Sequence, residues 1–474
     1  MQSLSENYQE NVALLDEILR VKENFDILKK ILRVADGELT LYYIDGFIKD
    51  TVMQKLMMHF ISLKTMGESA EDAADEFVKN SVPYVEADVV DGSESIDQMI
   101  QMMLSGAALV LGTAFGQKAI IIDARTYPAR ETSEPQDDRV MRGARDGFVE
   151  TLIFNTALLR RRIRNPALTM RYLSVGTSSR TDISVCYMAD RADMGYVETI
   201  CKRLGELKTE SLTMGHQSLA ECLIRTRWYN PFPKIRTTER PDAATAQLLE
   251  GSVLVIIDNS PEVMILPSSI FDFLQETNDY YFPPLTGTYM RLIRHIVFWM
   301  TLFLTPTWYL LIKNESIIPQ WLSFILPQEP AKIPLLAQLL LVEFLIDGLR
   351  LASMNTPDML SNSLSVVSGL ILGDFAVSSG LLMPEVILYM AFVAIANFSQ
   401  RNYELGYAFK FLRIILLILI ALFNYWGFGI GIVLIVALIA TNKTVNGKRS
   451  YLYPLIPFSG KALLGMFIRP LKRD

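Results

Sequence analysis

Apolar and polar positions fall into two regimes along the chain. Up to about Leu285 apolar runs are short and charges are spread evenly; from Leu292 to Ala440 apolar runs dominate and lysine nearly disappears. In the first regime LTLYYIDG (39–46) reads as a strand running into the helix FIKDTVMQKLMMHF, and ISVCYMAD (183–190) as a strand running into MGYVETICKRLGEL. GAALVLGTAFGQKAIIID (106–123) and GSVLVIIDNSPEVMIL (251–266) both read as strand–turn–strand hairpins. Tyr43 and Tyr187 lie 144 positions apart, and Gly106 and Gly251 lie 145 apart. Two matches at nearly one offset predict an internal repeat: two related α/β subdomains, each a small mixed sheet with helices against it.

Between the repeats, RGARDGFVETLIFNTALLRRRIRNP (142–166) predicts a helix capped by Asp146 that runs to Arg164 and stops before Pro166. Arg160, Arg161, Arg162 and Arg164 fall at its C-terminal end, where cations suit the helix dipole. That end is either solvated and tied by ion pairs between the subdomains, or a contact for anionic lipid or a partner. TTERPDAATAQLLEG (237–251) brackets a short helix with proline in its first turn and glycine after its end. The expected organisation is a helical segment over 1–34, subdomains over 35–140 and 167–285 joined by a basic helix over 141–166, a membrane domain over 290–441 and a basic tail over 442–474.

Crossing the hydrocarbon core takes about 20 apolar residues. Leu292–Ile312 qualifies; a proline-bounded loop follows over 313–332. Ile333–Ala352 is apolar but holds Glu343, Asp347 and Arg350, and Leu364–Met383 is serine- and glycine-rich with Asp374. Val386–Phe398 is short. Phe411–Ala440 is a long run broken at Gly427, Gly429 and Gly431, either a hairpin of two short helices or one crossing with a re-entrant piece. These give five or six segments, with six expected, in an all-α polytopic membrane domain. Seven basic residues against one acid after Ala440 place the tail on the cytoplasmic side.

Ionisable groups at membrane depth cost at least about 2.5–3.5 kcal/mol each on insertion scales. Two readings of Glu343, Asp347 and Arg350 stand open. Asp347 and Arg350, three apart on a helix, pair with each other, with Glu343 one turn earlier; or Glu343 and Asp347 draw cations towards a conduction path. Ser361, Ser365, Ser368 and Ser379 share one helical face with Leu372 between them, with Asp374 roughly opposite. Such a stripe either packs helices closely or lines a pore.

Composition narrows the class. A net charge of -6 gives no footprint for nucleic acid. Three cysteines (186, 201 and 222), none in a C-x-x-C pair, fit a reduced compartment. The polar, acidic start MQSLSENYQENVALLDEIL lacks the features of a signal peptide, so the N-terminal part is expected in the cytoplasm. Phosphate-loop, dinucleotide and nucleophile-elbow motifs are missing, and His59, His216 and His295 have no ligand spacing. The expectation is a non-enzyme with no catalytic residue, cofactor or metal.

The stretch 142–166, then TERPD (238–242), EGSVLVIIDNSPEVMILP (250–267) and the membrane stretch from VEFLIDGLRLASMNTP to FVAIANF (342–398) resemble the A subunits of GerA-type spore germination receptors. The resemblance runs from about Phe25 to the end. It implies that Arg142, Gly143, Asp146, Gly147, Glu150, Arg160, Arg161 and Arg162, with Glu239, Arg240, Pro241 and Asp242, are structural or interface positions. It further implies a multi-pass protein of the endospore inner membrane that acts in germination. The family's pore segment corresponds to 361–373, which favours pore lining for the serine stripe. The implied partners are lipid, further copies in a pentamer, other germination membrane proteins and monovalent cations. Three functions follow: a cation channel subunit that responds to or amplifies the germinant signal, a nutrient-receptor subunit with transporter-like and lipoprotein partners, or a non-conducting scaffold. Where receptor subunits carry E-x-L-R-E-A-x-x-R, this chain matches the acids at Glu343 and Asp347, has Ile346 for the first arginine and has Arg350 one place early.

Overall fold

The computed structural model describes residues 2–34, 37–64, 73–82, 85–127, 135, 138–224, 228–327, 332–355, 375–400, 402–442 and 451–469. They form two compact units. One runs up to Ser268; the other runs from Ser269 onward and includes the excursion Thr226–Lys234.

The first unit is the predicted repeat. Its first copy comprises Tyr8–Ile18 (α1), Ile27–Val34 (β1), Gly37–Ile44 (β2), Asp50–Ser62 (α2), Ala73–Ser81 (α3), Glu86–Asp91 (β3), Asp97–Leu104 (α4), Ala108–Gly112 (β4) and Lys118–Asp123 (β5). The second comprises Leu152–Arg162 (α5), Leu168–Val175 (β6), Thr181–Met188 (β7), Met194–Gly205 (α6), Gly215–Leu223 (α7), Arg236–Thr238 (β8), Pro241–Leu249 (α8), Val253–Ile257 (β9) and Val263–Leu266 (β10). The sheets have the orders β1-β2-β4-β5-β3 and β6-β7-β9-β10-β8, the same path in both copies. Helices cover both faces of each sheet, so alternate residues of one strand enter different cores. Leu109 and Leu111 of β4 face α1 and α4, while Ala108 and Val110 face α2 and α3. That is why β4 and β9 read as continuous apolar runs rather than as alternation.

Two expectations need correction. The N-terminal helical segment ends at Ile18; residues 27–34 form β1, paired along its whole length with β2, from Ile27 opposite Ile44 to Val34 opposite Gly37. The basic helix is α5, the second copy's counterpart of α1 rather than a separate linker. It begins at Leu152 with Thr151 at its N-cap, and Asp146 does not cap it but pairs with Arg162 at 2.7 Å. The bracketing of α8 stands as read, with Pro241 in its first turn and Gly251 at φ +91° after its end.

The second unit is helical. It contains Asn278–Tyr281 (α9), Pro284–Lys313 (α10), Leu335–Asn355 (α11), Pro384–Phe398 (α12), Tyr403–Phe423 (α13), Tyr425–Ala440 (α14) and Gly460–Phe467 (α15). Among the described residues α10 and α13 are long and apolar enough to cross a membrane, and α12 and α14 are shorter apolar helices. The run 411–440 is a hairpin, but its break is Asn424, whose φ of +55° turns the chain, and not the glycines, which lie inside α14; its first helix is the longer α13, which starts at Tyr403. The Asn424 amide exchanges hydrogen bonds of 2.7 and 2.8 Å with that of Asn314. A Cβ on Gly427 would collide with the Leu419 carbonyl oxygen and one on Gly431 with Leu416 Cδ1, so the glycines let the two helices touch.

Candidate functional site

The second unit buries charge between apolar helices. Glu343 and Asp347 are one turn apart on α11, and Lys410 and Arg413 three apart on α13. Running antiparallel, the helices form a two-rung ladder. Glu343 Oε1 accepts from Arg413 Nε at 2.6 Å and Nη2 at 2.5 Å; Asp347 Oδ2 contacts Lys410 Nζ. Arg413 Nη1 also donates to the Thr301 carbonyl of α10, and Gln400 Nε2 donates to Thr301 Oγ1 at 3.0 Å. Glu343, Lys410 and Arg413 are all buried. Opposite charges in such a setting are held by each other, and removing one strands the other.

This geometry corrects the Asp347–Arg350 pairing. Asp347 turns to Lys410, and Arg350 lies over the rings of Tyr403, Tyr407 and Phe398 at 4.8, 5.0 and 5.7 Å. Guanidinium stacks well on aromatic faces, which accounts for arginine here without a carboxylate. Of the serine stripe, Ser379 caps a short turn with its Oγ donating to the Ala376 carbonyl at 3.1 Å, and its carbonyl accepts from Lys332 at 3.2 Å. Ser361, Ser365, Ser368, Leu372 and Asp374 lie outside the described residues.

A second charged knot sits at the start of α10. Arg294 reaches Asp279 at 2.7 and 3.0 Å and Glu276 at 2.9 Å, and Arg291 reaches Asp279 at 3.3 Å. Burial pushes the Glu276 carboxyl above its ordinary range, against the pull of Arg294. The stretch read as a basic tail closes this knot. Arg291 donates to the Gly465 carbonyl, and Arg469 to the carbonyls of Phe282 and Tyr280.

In the first unit the arginine-rich end of α5 is not a solvated helix terminus throughout. Arg160 is 0% exposed and forms a fork onto Asp26 at 2.9 and 3.0 Å. It also donates to the Leu168 carbonyl at 3.0 Å, while Asn24 Oδ1 accepts from Met170 N at 2.7 Å. One side chain thereby joins the segment before β1 to the start of β6 through a buried ion pair, not a solvated one. Arg161 instead lies 4.7 Å over the Tyr127 ring. The TERPD stretch clamps the strap 138–150. Arg240, fully buried, holds Asp242 at 3.0 and 2.7 Å and donates to the carbonyls of Ala144 at 2.8 Å and Asp138 at 3.3 Å. Phe148 N donates to the Glu239 carbonyl at 2.8 Å, and Asn259 N to that of Glu150 at 2.7 Å. Gly143 sits at φ +127°, which a side chain rarely adopts; Gly147 is buried and Arg142 is exposed.

The profile of the Bacillus/Clostridium GerA spore germination protein family matches residues 14–473. The chain belongs to the GerA family. Among its relatives, stage V sporulation protein AF of Bacillus subtilis (strain 168) is 37% identical over 452 residues, 95% of this chain and 90% of that protein. Spore germination protein A1 of the same organism is 27% identical over 442 residues, 93% of this chain and 88% of that one. The solved N-terminal domain of the A subunit of the Bacillus megaterium spore germinant receptor GerK3 aligns with a TM-score of 0.41 and 22% identity, covering 56% of this chain and 96% of that one.

In this GerA protein the two motif stretches, about 95 positions apart, are thus one contact, the strap and its clamp. Several partners escaped sequence reasoning. Asp26, Asn24 and Asp138 carry no local signal. Lys410 and Arg413 carried one, two cations at the edge of an apolar run, which an apolar segment begun at Phe411 obscures.

Proposed function

We propose that this GerA protein is a homo-oligomeric, pentameric cation channel subunit of the spore inner membrane that responds to or amplifies the germinant signal and releases ions. Its partners are lipid, its own copies, other germination membrane proteins and permeant monovalent cations. The N-terminal part and the tail face the cytoplasm, and six segments cross or enter the bilayer. The observation that carries the reading is the ladder Glu343–Arg413 and Asp347–Lys410. Ionisable groups are retained at membrane depth where they pair beside a polar path, and α11 leads directly into the stretch with Ser361, Ser365, Ser368, Leu372 and Asp374, with Ser379 beyond it. Paired acids act on a permeating cation through the local field rather than as free ligands. Glu343→Gln would leave Arg413 uncompensated and repel cations; Glu343→Gln with Arg413→Gln would relieve that repulsion. The test is cation flux through the purified protein in liposomes. Flux is expected from the intact protein, is reduced by Glu343→Gln, recovers in the double variant and falls when Ser365 or Ser368 is replaced by leucine at equal protein level. An intact, correctly inserted protein that passes no cations refutes the reading.

A further inference from the structure

Between α7 and β8 the chain makes the excursion Thr226–Lys234, which packs within the helical unit. Its described residues are fastened at three points. Phe232 is buried, with its ring 6.2 Å from that of Phe409 and in one apolar cluster with Phe298 and Tyr451. Asn230 Nδ2 donates to the Leu438 carbonyl at 3.0 Å, and Tyr451 OH donates to the Pro233 carbonyl at 2.7 Å. On this fixed loop Trp228 is 95% exposed and Tyr229 51%, their rings meeting edge to face at 6.1 Å. A tryptophan held in water forgoes the burial of roughly 150–250 Å² of largely apolar surface. A mobile tip would explain such exposure; a loop anchored on both its backbone and a buried phenylalanine does not.

The level of the anchors identifies what covers the pair. Leu438 is near the end of α14, Phe298 lies just past the point where α10 leaves Arg291, Arg294 and His295 and turns apolar, and Phe409 precedes Lys410. All three lie at the same end of the helices, where α10 and α13 begin and α14 finishes. Exposed Trp299 stands at that level too, and exposed Tyr403 begins α13, about 9 Å along the helix before Phe409 at about 1.5 Å per residue. At the other end, where α10 stops at Lys313 and the hairpin turns at Asn424, Trp321, Tyr425 and Trp426 are exposed. From Ile296 to Lys313 α10 rises about 26 Å, at about 1.5 Å per residue, close to a hydrocarbon thickness of about 30 Å. Two aromatic levels at that separation match the belts that tryptophan and tyrosine form at both membrane–water interfaces.

We propose that Trp228 and Tyr229 insert into the lipid headgroup region as part of the belt at the end of the helices where α10 and α13 begin. A segment whose sequence lies between a helix and a strand of the second subdomain thereby becomes a membrane-contact element. The inference rests on the membrane location of the helical unit but not on conduction.

The test is tryptophan fluorescence of the full chain in anionic phospholipid nanodiscs, with Trp228's part isolated as the difference between wild type and Trp228→Phe. Lipids brominated near the headgroup end of the acyl chains should cut that part by about half and leave it blue-shifted relative to free indole, as an interfacial indole requires. A Trp228 contribution unaffected by brominated lipid but quenched by aqueous iodide, while the remaining tryptophans respond to the lipid, overturns this proposal alone. No lipid quenching of any tryptophan overturns the membrane location as well. A nitroxide at position 228, in a chain with Cys186, Cys201 and Cys222 replaced by serine, gives a second reading. Greater accessibility to oxygen than to a water-soluble nickel chelate supports the proposal, and the reverse refutes it.

Discussion

Replacing Arg160 by alanine is the sharpest test of how the repeat is held together. The guanidinium is 0% exposed and the side chain of Asp26 is 2% exposed. The substitution therefore leaves a carboxylate buried without its counter-charge, and it removes the donors to the Leu168 carbonyl and to Asn24. Breaking a buried pair from one side costs about 3–5 kcal/mol. In a unit of this size each kcal/mol moves the melting point by about 2–4 °C, so the loss should be roughly 6–20 °C. The assay is thermal unfolding of the full chain in detergent, with hydrogen exchange at Phe25 and Met170 reporting locally, since the Phe25 amide donates to the Met170 carbonyl at 3.2 Å. Arg160→Met with Asp26→Leu removes both charges and fills part of the space, so it should recover most of the loss. An Arg160→Ala protein that melts within about 2 °C of wild type refutes the reasoning. So does a double variant as unstable as the single one.

Other consequences follow from the same geometry. Arg413→Leu should destabilise the helical unit in detergent by about 3–5 kcal/mol, and Glu343→Leu with Arg413→Leu should restore it, as read from the melting transition. Burial raises the Asp45 carboxyl above the ordinary range, opposed by the Gly46 amide and reinforced by Asp50 and Asp26. The folded state then holds that proton more tightly than the unfolded state, so its contribution is present at low pH and lost as pH rises through the native pKa. Asp45→Asn should accordingly melt higher than wild type near neutral pH, with the gap closing towards about pH 4; a gap constant with pH would count against it. Burial pushes the Cys186 thiol up to about 12, whereas Cys222 is exposed. Maleimide at neutral pH should label Cys222 within minutes and Cys186 only after denaturation, by peptide mass. Gly427→Ala should shift the α13–α14 hairpin, because the new methyl meets a backbone oxygen that cannot swing aside; unchanged melting would show that the helices separate at no cost.

Much of this architecture is written locally. Strand and helix periodicity, the 144-residue repeat, Pro241 before α8 and Gly251 after it depend on neighbours within a few positions, so the chain shows them without being folded. The two regimes of hydropathy likewise separate the α/β part from the helical part, because apolar content is a property of each stretch alone. Identity of the charged residues was legible too; their partners were not. Arg160 meets Asp26 across 134 positions and Arg413 meets Glu343 across 70. An arginine cluster reads the same whether it faces water, as Arg161 largely does, or a buried carboxylate, as Arg160 does. Spacing on one helix suggested Asp347 with Arg350, yet a neighbouring helix offered Asp347 a lysine and Arg350 three aromatic rings. The loop around Phe232 makes the same point, since which apolar surface an isolated phenylalanine enters depends on what packs beside it. Periodicity belongs to the segment, and the chain alone determined it; ion pairing and burial belong to surfaces that only the folded chain brings together, and tertiary structure decided them.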